Sequence, residues 1–499
     1  MVSSVLGVLK PLLSTRERRD VLIALSAAYM LVQLSSLPVA LSLPTLAEYF
    51  KTGIDDVAWM VIVYLMMLGA LVMLMARLGD RYGHERIFFA GLVTATIGSV
   101  ALTFSQELWH LVALRAVTGI GSAMIMGNAN AILAYAFPPD ERGRAFAVPI
   151  IGARFGTLIG LVVFGAFLQF LSWRLIFATF IPLGVVAIVL SLPMLRNAAR
   201  QQRPQVAHGS GPIDWAGAAL LFVTALVFVM SSSHLHPGEE SYTSTYALSY
   251  HIPMHLLFIA LLVGFIVVER RVSNPVVDMA QFRRKGFSLS LGSNVIYHGS
   301  MLGTMTLVPI LVEEGFGRSP LFVTVVLFPS QALGLFLPMV AGWVYDTYKP
   351  QFLRLWAVLA IAAGFFGLSQ FAPNVSFWAL PFIMLPISIG TNIFNPINNA
   401  HVMNSLPLEH RGFASGMLET SREFGHALGA TAAAAALGLA IPAGVERLPF
   451  EVSRTFFLEG FELSTLLVVG MLLFGALLVY FQKTPSLDPQ PEPASGGDG

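Results

Sequence analysis

The sequence predicts an all-α polytopic membrane protein of fourteen transmembrane helices, arranged as two six-helix pseudo-repeats with two extra helices between them. Three observations lead there. Of 499 residues, 56% are hydrophobic and 11% charged, with a mean hydropathy of +0.72, whereas a soluble domain carries about 25% charged residues to solvate its surface. Apolar runs of about 20 residues, the length that crosses a ~30 Å hydrocarbon core, recur along the whole chain. Two charged loop patterns occur twice at nearly equal separation. Continuous runs, rather than alternating ten-residue segments, exclude a β-barrel.

The elements follow in order. A basic segment, 1–20, with Lys10, Arg16, Arg18 and Arg19, precedes the first run and has no small-residue cleavage site, so it reads as the cytoplasmic lead to an uncleaved span. The first half, 21–195, holds spans near 21–43, 57–76, 87–105, 109–134, 145–170 and 173–194. A basic polar linker, 196–213, follows. The segment 214–286 holds the two extra spans, 215–232 and 254–268, around an external loop with His234 and His236. The second half, 287–483, holds spans near 287–311, 320–343, 352–371, 376–400, 412–440 and 461–481, with an external amphipathic stretch at 441–460. The Pro/Gly-rich tail 484–499 reads as disordered and cytoplasmic.

Lysine and arginine set the orientation. With both termini cytoplasmic, the inner loops hold Arg81, Arg86, Arg142, Arg144, Arg196, Arg200, Arg203, Arg270, Arg271, Arg283, Arg284, Lys285, Lys349 and Arg411. The outer side keeps Lys51, Arg174, Arg318, Arg447 and Arg454. The repeat shows in the same loops. Gly79-Asp80-Arg81-Tyr82-Gly83 after the second span has a weaker echo in Gly342-Trp343-Val344-Tyr345-Asp346 after the tenth. Arg142-Gly143 opens the fifth span as Arg411-Gly412 opens the thirteenth, and the Asp-to-Arg separations are 62 and 65 residues (142 − 80 and 411 − 346). Repeated halves around a midplane site are the architecture of alternating-access transporters.

The stretch Leu78 to Arg86 resembles the loop signature of the major facilitator superfamily, with Ala76, His84 and Glu85 departing from it. Arg115 with Gly119 is similar to the second signature of that family. The resemblance extends to the fourteen-helix drug:proton antiporter branch, the EmrB/QacA type. It does so through Trp173 to Phe177, through Glu269 to Pro275 with Phe282-Arg283, and through Arg411 to Gly416 with Arg422 and Gly425. It covers residues 20–482 and implies the facilitator fold and transport. Two departures stand out. Ser35 occupies the position of the first-span aspartate, and the fifth-span antiporter motif keeps Gly156, Gly160 and Gly165 but has Leu161 and Phe164 for its proline and one glycine.

Candidate site residues fall into four groups. Asp80, Arg81, Gly83 and Arg86 read as a gate, since a carboxylate on that turn can latch onto the N-terminal amides of a neighbouring helix and onto an arginine. Glu419, Arg422, Glu423 and His426 share one helix face. Glu419 lies about 10 Å and Glu423 about 16 Å into the membrane by helical rise, which suits proton coupling or, equally, an internal ion pair. The resemblance adds Arg115 to this group, with a structural partner bound to carbonyls as the alternative. Arg154, Ser35, Asn294, His298, Gln331, Asn395 and Asn398 are candidate substrate contacts, and the asparagines serve as well as helix glue. Arg154 in particular must face a carboxylate, an anionic substrate or water, because an uncompensated midplane arginine costs at least ~2.5–3.5 kcal/mol. Gly156, Gly160 and Gly165 are the helix-packing set.

The expected function is export of an amphipathic organic solute, with a lipid-like or anionic substrate as the first alternative and a facilitator-fold scaffold or receptor as the second. The expected partners are a small-molecule or lipid-like substrate, protons and membrane lipid, in a monomer of the bacterial inner membrane. A net charge of +1 gives no sign of nucleic acid. The absence of cysteine excludes disulfides, thiolate zinc sites and cysteine nucleophiles. No histidine box, nucleotide loop or Ser/His/Asp arrangement suggests an enzyme, a cofactor or a metal.

Overall fold

The computed structural model describes residues 12–200, 214–232, 245–319, 321–440 and 449–482. The linker residues 201–213, the loop with His234 and His236, residues 441–448, the tail 484–499 and residues 1–11 lie outside the described residues.

The described chain is helical throughout, because a backbone in hydrocarbon must satisfy its own polar groups. The first half is α1 (Arg16–Leu34), α2 (Ile54–Tyr82), α3 (His84–Thr103), α4 (Leu108–Ala136), α5 (Arg142–Phe170) and α6 (Arg174–Arg200). The middle pair is α7 (Trp215–Ser232) and α8 (Thr245–Glu269). The second half is α9 (Lys285–Ile310), α10 in two pieces (Leu321–Leu333 and Leu337–Tyr348), α11 (Leu353–Phe371), α12 (Leu385–Asn404), α13 (Arg411–Ala440) and α14 (Phe450–Tyr480). Among the described residues, 11 helices are long and apolar enough to cross a membrane, and Trp215–Ser231 is a shorter apolar helix. α1 and α13 are not among the 11; all five of the first residues of α1, Arg16 to Asp20, are charged, and α13 carries Glu419, Arg422 and Glu423 mid-helix.

Three expectations about elements are corrected. The run 21–43 is not one helix: α1 stops at Leu34, a 3-10 segment Leu37–Ser42 follows, and a short helix Leu43–Phe50 starts with proline in its first turn. Ser35-Ser36 and Pro38 end α1, since proline lacks the donor that would continue it. The run 320–343 is broken at 334–336, between Pro329 inside the first piece and Pro338 at the start of the second. Residues 450–460 are not a separate external stretch but the first turns of α14.

Packing pairs recur eight helices apart. α1 packs on α5 and α6 as α9 packs on α13 and α14, and α3 packs on α4 and α6 as α11 packs on α12 and α14. The halves meet along two seams, α2 with α13 and α5 with α10. Small residues make the close approaches. A Cβ on Gly152 or Gly156 would come within 2.7 Å or 2.6 Å of the α1 carbonyls of Ser26 or Met30, and one on Gly425 or Gly429 would strike the α9 backbone. Gly165 belongs to no such contact: a Cβ there would meet nothing within 4 Å, so its assignment to helix packing is corrected. Gly160 is buried. The middle pair lies beside the α2/α13 seam, with Phe228 of α7 stacked on Phe424 of α13 at 4.2 Å.

Candidate functional site

Both seams are pinned at the arginine-rich end. On one, Asp346 of α10 accepts hydrogen bonds from the amides of Gly143 and Arg144 at 2.9 Å each, and from Nε of Arg144 at 3.0 Å. These are the first free amides of α5, where a helix dipole favours an anion. Gly143 and Gly342 let the two backbones touch there. On the other seam, Asp80 of α2 abuts Gly412 in the first turn of α13, so closely that a Cβ on Gly412 would collide with its carboxylate. Its ion partners are His84 Nε2 at 3.3 Å and Arg77 at 3.8 Å. Among the described residues no amide of α13 bonds Asp80. Gly83, at φ 99°, makes the tight turn into α3. Arg81 lies over the ring of Tyr82, and Arg86 flanks Gly83. Further bonds close this end: Arg142 to Asn404, Tyr135 to the Leu408 carbonyl, and Ser415 to the Gly127 carbonyl at 2.8 Å.

At mid-depth the charged face of α13 joins a chain of seven side chains. Tyr29 of α1 donates to Oδ1 of Asn130 at 3.0 Å, and Nδ2 of Asn130 in α4 donates to Glu419 at 2.7 Å. Arg422 pairs with Glu419 at 2.7 Å and with Glu423 at 3.0 Å. Glu423 faces His426 at 3.6 Å, and His426 meets His298 of α9 at 3.2 Å. The stem of Glu423 rests on Gly69 of α2. Tyr29 and Asn130 are absent from any sequence motif, and only their helical faces could have pointed to them. His298, expected at the substrate, stands at the end of this series of side chains.

Arg115 touches none of these groups. It is fully buried, donates to the carbonyls of Met60 at 3.0 Å and Ser35 at 2.9 Å, and stacks over Tyr64 at 4.0 Å. The expected coupling role thus has no carboxylate contact here, because carbonyls at the end of α1 and in α2 hold the guanidinium first. Ser35 contributes its carbonyl to this contact, with its side chain buried. Asn294 donates to Ser421 at 2.8 Å and accepts from Asn398 at 3.1 Å, gluing α9, α12 and α13 together. Asn398 also meets Arg354, a buried arginine paired with His401 at 3.2 Å. Arg354 was legible as a charge inside the run 352–371 but carried no motif. Arg154 of α5 reaches across the seam to Gln331 of α10 at 3.3 Å, near Tyr297, whose hydroxyl donates to the Thr391 carbonyl at 3.2 Å and lies beside Asn395. No group of three or more metal-ligating side chains occurs among the described residues.

The sequence profile described as Major Facilitator Superfamily matches residues 23–430. Multidrug resistance protein 3 of Bacillus subtilis is 27% identical over 383 residues, covering 76% of this chain and 71% of its own. The multidrug efflux pump LfrA of Mycolicibacterium smegmatis is 25% identical over 410 residues, covering 82% of this chain and 78% of its own. Among solved structures, the proton:xylose symporter XylE superposes with a TM-score of 0.60 at 14% identity, over 93% of this chain and 95% of that one, a likeness of fold.

Proposed function

The chain belongs to the Major Facilitator Superfamily, a family of transporters and not of enzymes, and from that premise we propose that it is a secondary active exporter of an amphipathic organic solute. The single observation that carries the reading is the chain from Tyr29 to His298, which crosses between the halves through Asn130 and Glu419. Glu419 is held by a donor from the opposite half and by Arg422 of its own helix, so its surroundings change when the halves separate. A coupling group has to sense that separation. Glu423 and His426 are next in line. They stand in for the carboxylate that the drug:proton branch has where this chain has Ser35.

The proposal includes fourteen spans, the 11 apolar helices together with α1, α7 and α13. Both termini are cytoplasmic, in the inner membrane of a bacterium, and the protein works as a monomer of the EmrB/QacA-type branch. Asp80, Arg81, Gly83 and Arg86 act in the cytoplasmic gate. The names of the two relatives support export and drug-like substrates. The test is uptake into proteoliposomes under an imposed pH gradient, with ethidium and anilinonaphthalene sulfonate as probes. Glu419→Gln and Glu423→Gln should each abolish the gradient-driven component while exchange persists. A gradient dependence unchanged in both variants would reject coupling through α13. A wild type that moves no probe would favour the scaffold reading, for which the broken fifth-span motif speaks.

A further inference from the structure

The arginines inside the bundle differ in how they are satisfied. Arg115 has two carbonyls and an aromatic face, Arg354 has Asn398 and His401, and Arg422 has two carboxylates. Arg142 and Arg144 are held by carbonyls and Asn404 and by Asp346. Arg154 stands apart. A guanidinium offers five N–H donors, and among the described residues Arg154 makes one hydrogen bond, a 3.3 Å contact to the neutral Gln331 amide, and no ion pair. It is half-buried, not sealed.

Its surroundings are built to hold it in that state. The stem lies along Gly334, where a Cβ would come within 3.0–3.1 Å of its Cγ, Cδ and Nε. Gly334 is also where α10 breaks, between its pieces Leu321–Leu333 and Leu337–Tyr348. Interrupted helices at a repeat interface are where many secondary transporters bind charged groups. Gln331 is buried and Tyr297 lies within electrostatic range of the arginine. The mid-depth carboxylates of α13, Glu419 and Glu423, are taken by Arg422.

We propose that Arg154, with Gln331 and the α10 break at Gly334, is the subsite for the anionic head of the transported amphiphile, a sulfonate, carboxylate or phosphate. The planar guanidinium fork matches such oxyanions in a bidentate manner. A lipid phosphate and a free organic anion present the same chemistry. The subsite deepens the exporter reading, on which it rests for the ligand's fate; binding itself is independent of transport.

The experiment is equilibrium binding to the purified full chain in phosphatidylcholine nanodiscs, with anilinonaphthalene sulfonate as the anion and ethidium as the cation. The wild type should prefer the sulfonate. Arg154→Gln should weaken sulfonate binding about tenfold or more, the loss of a charge-assisted bond, and leave ethidium unchanged. Arg154→Lys should retain part of the affinity. Gln331→Glu, which hands Arg154 a carboxylate of its own, should abolish sulfonate binding even if Arg154→Gln folds poorly. Repeating the titration with phosphatidylglycerol assigns the natural head: competition in the wild type alone supports a lipid phosphate, and its absence supports a free anion. Preference for ethidium, or sulfonate binding untouched by both Arg154→Gln and Gln331→Glu, would overturn the subsite. Sulfonate binding without transport would overturn the exporter reading alone.

Discussion

The two seams between the halves use the same device with unequal strength. On the α5/α10 seam, Asp346 has a side chain 1% exposed and accepts bonds from two helix-start amides and an arginine. On the α2/α13 seam, Asp80 is 19% exposed, pairs with Arg77 and His84 of its own neighbourhood, lies against Gly412 of the facing helix and, among the described residues, takes no hydrogen bond from an amide of that helix. The loop with the fuller signature therefore makes the looser clasp, and its degenerate echo makes the tighter one. What decides clasp strength is where the carboxylate stands against the facing helix start and how far water is excluded. The signature residues around it do not decide this.

Three measurements can break or sharpen that comparison. The chain has no cysteine, so spin labels can be placed across each seam without background removal, and the closed-to-open ratio read from label distances. The largest effect is expected from Asp346→Ala, which leaves Arg144 and two helix-start amides without their buried anion. Removing one partner of such a pair costs about 3–5 kcal/mol, a shift of at least a hundredfold toward opening at that end. Asp80→Ala should cost about 1 kcal/mol, the scale of a partly exposed ion pair, or roughly fivefold. Equal shifts from the two variants would break the comparison. The smallest contrast lies within α5. Gly156→Ala must push the α1 carbonyl of Met30 aside and should destabilise by about 1–3 kcal/mol, the range for overpacking. Gly165→Ala meets open space and should change thermal stability by less than about 0.5 kcal/mol. A large loss from Gly165→Ala would mean that this part of α5 packs against something in the membrane.

The candidate sites were legible in unequal parts for a similar reason. The i, i+3 and i+4 spacing put Glu419, Arg422, Glu423 and His426 on one face of one helix, because helical periodicity is a local property. Tyr29, Asn130 and His298 complete that face from three other helices, and no spacing within α13 could reveal them. Arg115 illustrates the converse. Its depth announced a functional charge, yet its partners are the carbonyls of Met60 and Ser35, and carbonyls leave no trace in a side-chain pattern.

The sequence by itself determined that this chain lives in lipid, that most of its helices lie along the apolar runs, and which set of loops concentrates lysine and arginine. Those follow from composition and short-range periodicity, which act through solvent and local backbone geometry. Tertiary structure alone decided which faces meet. It placed Asp346 on the start of α5, bridged Asn130 to Glu419 and set Arg154 against a broken helix and the neutral amide of Gln331. It also left Gly165 in open space while Gly156 lies under a carbonyl. Contacts between helices hundreds of residues apart depend on how ridges, glycines and breaks fit together in three dimensions, and a one-dimensional pattern carries no record of that fit.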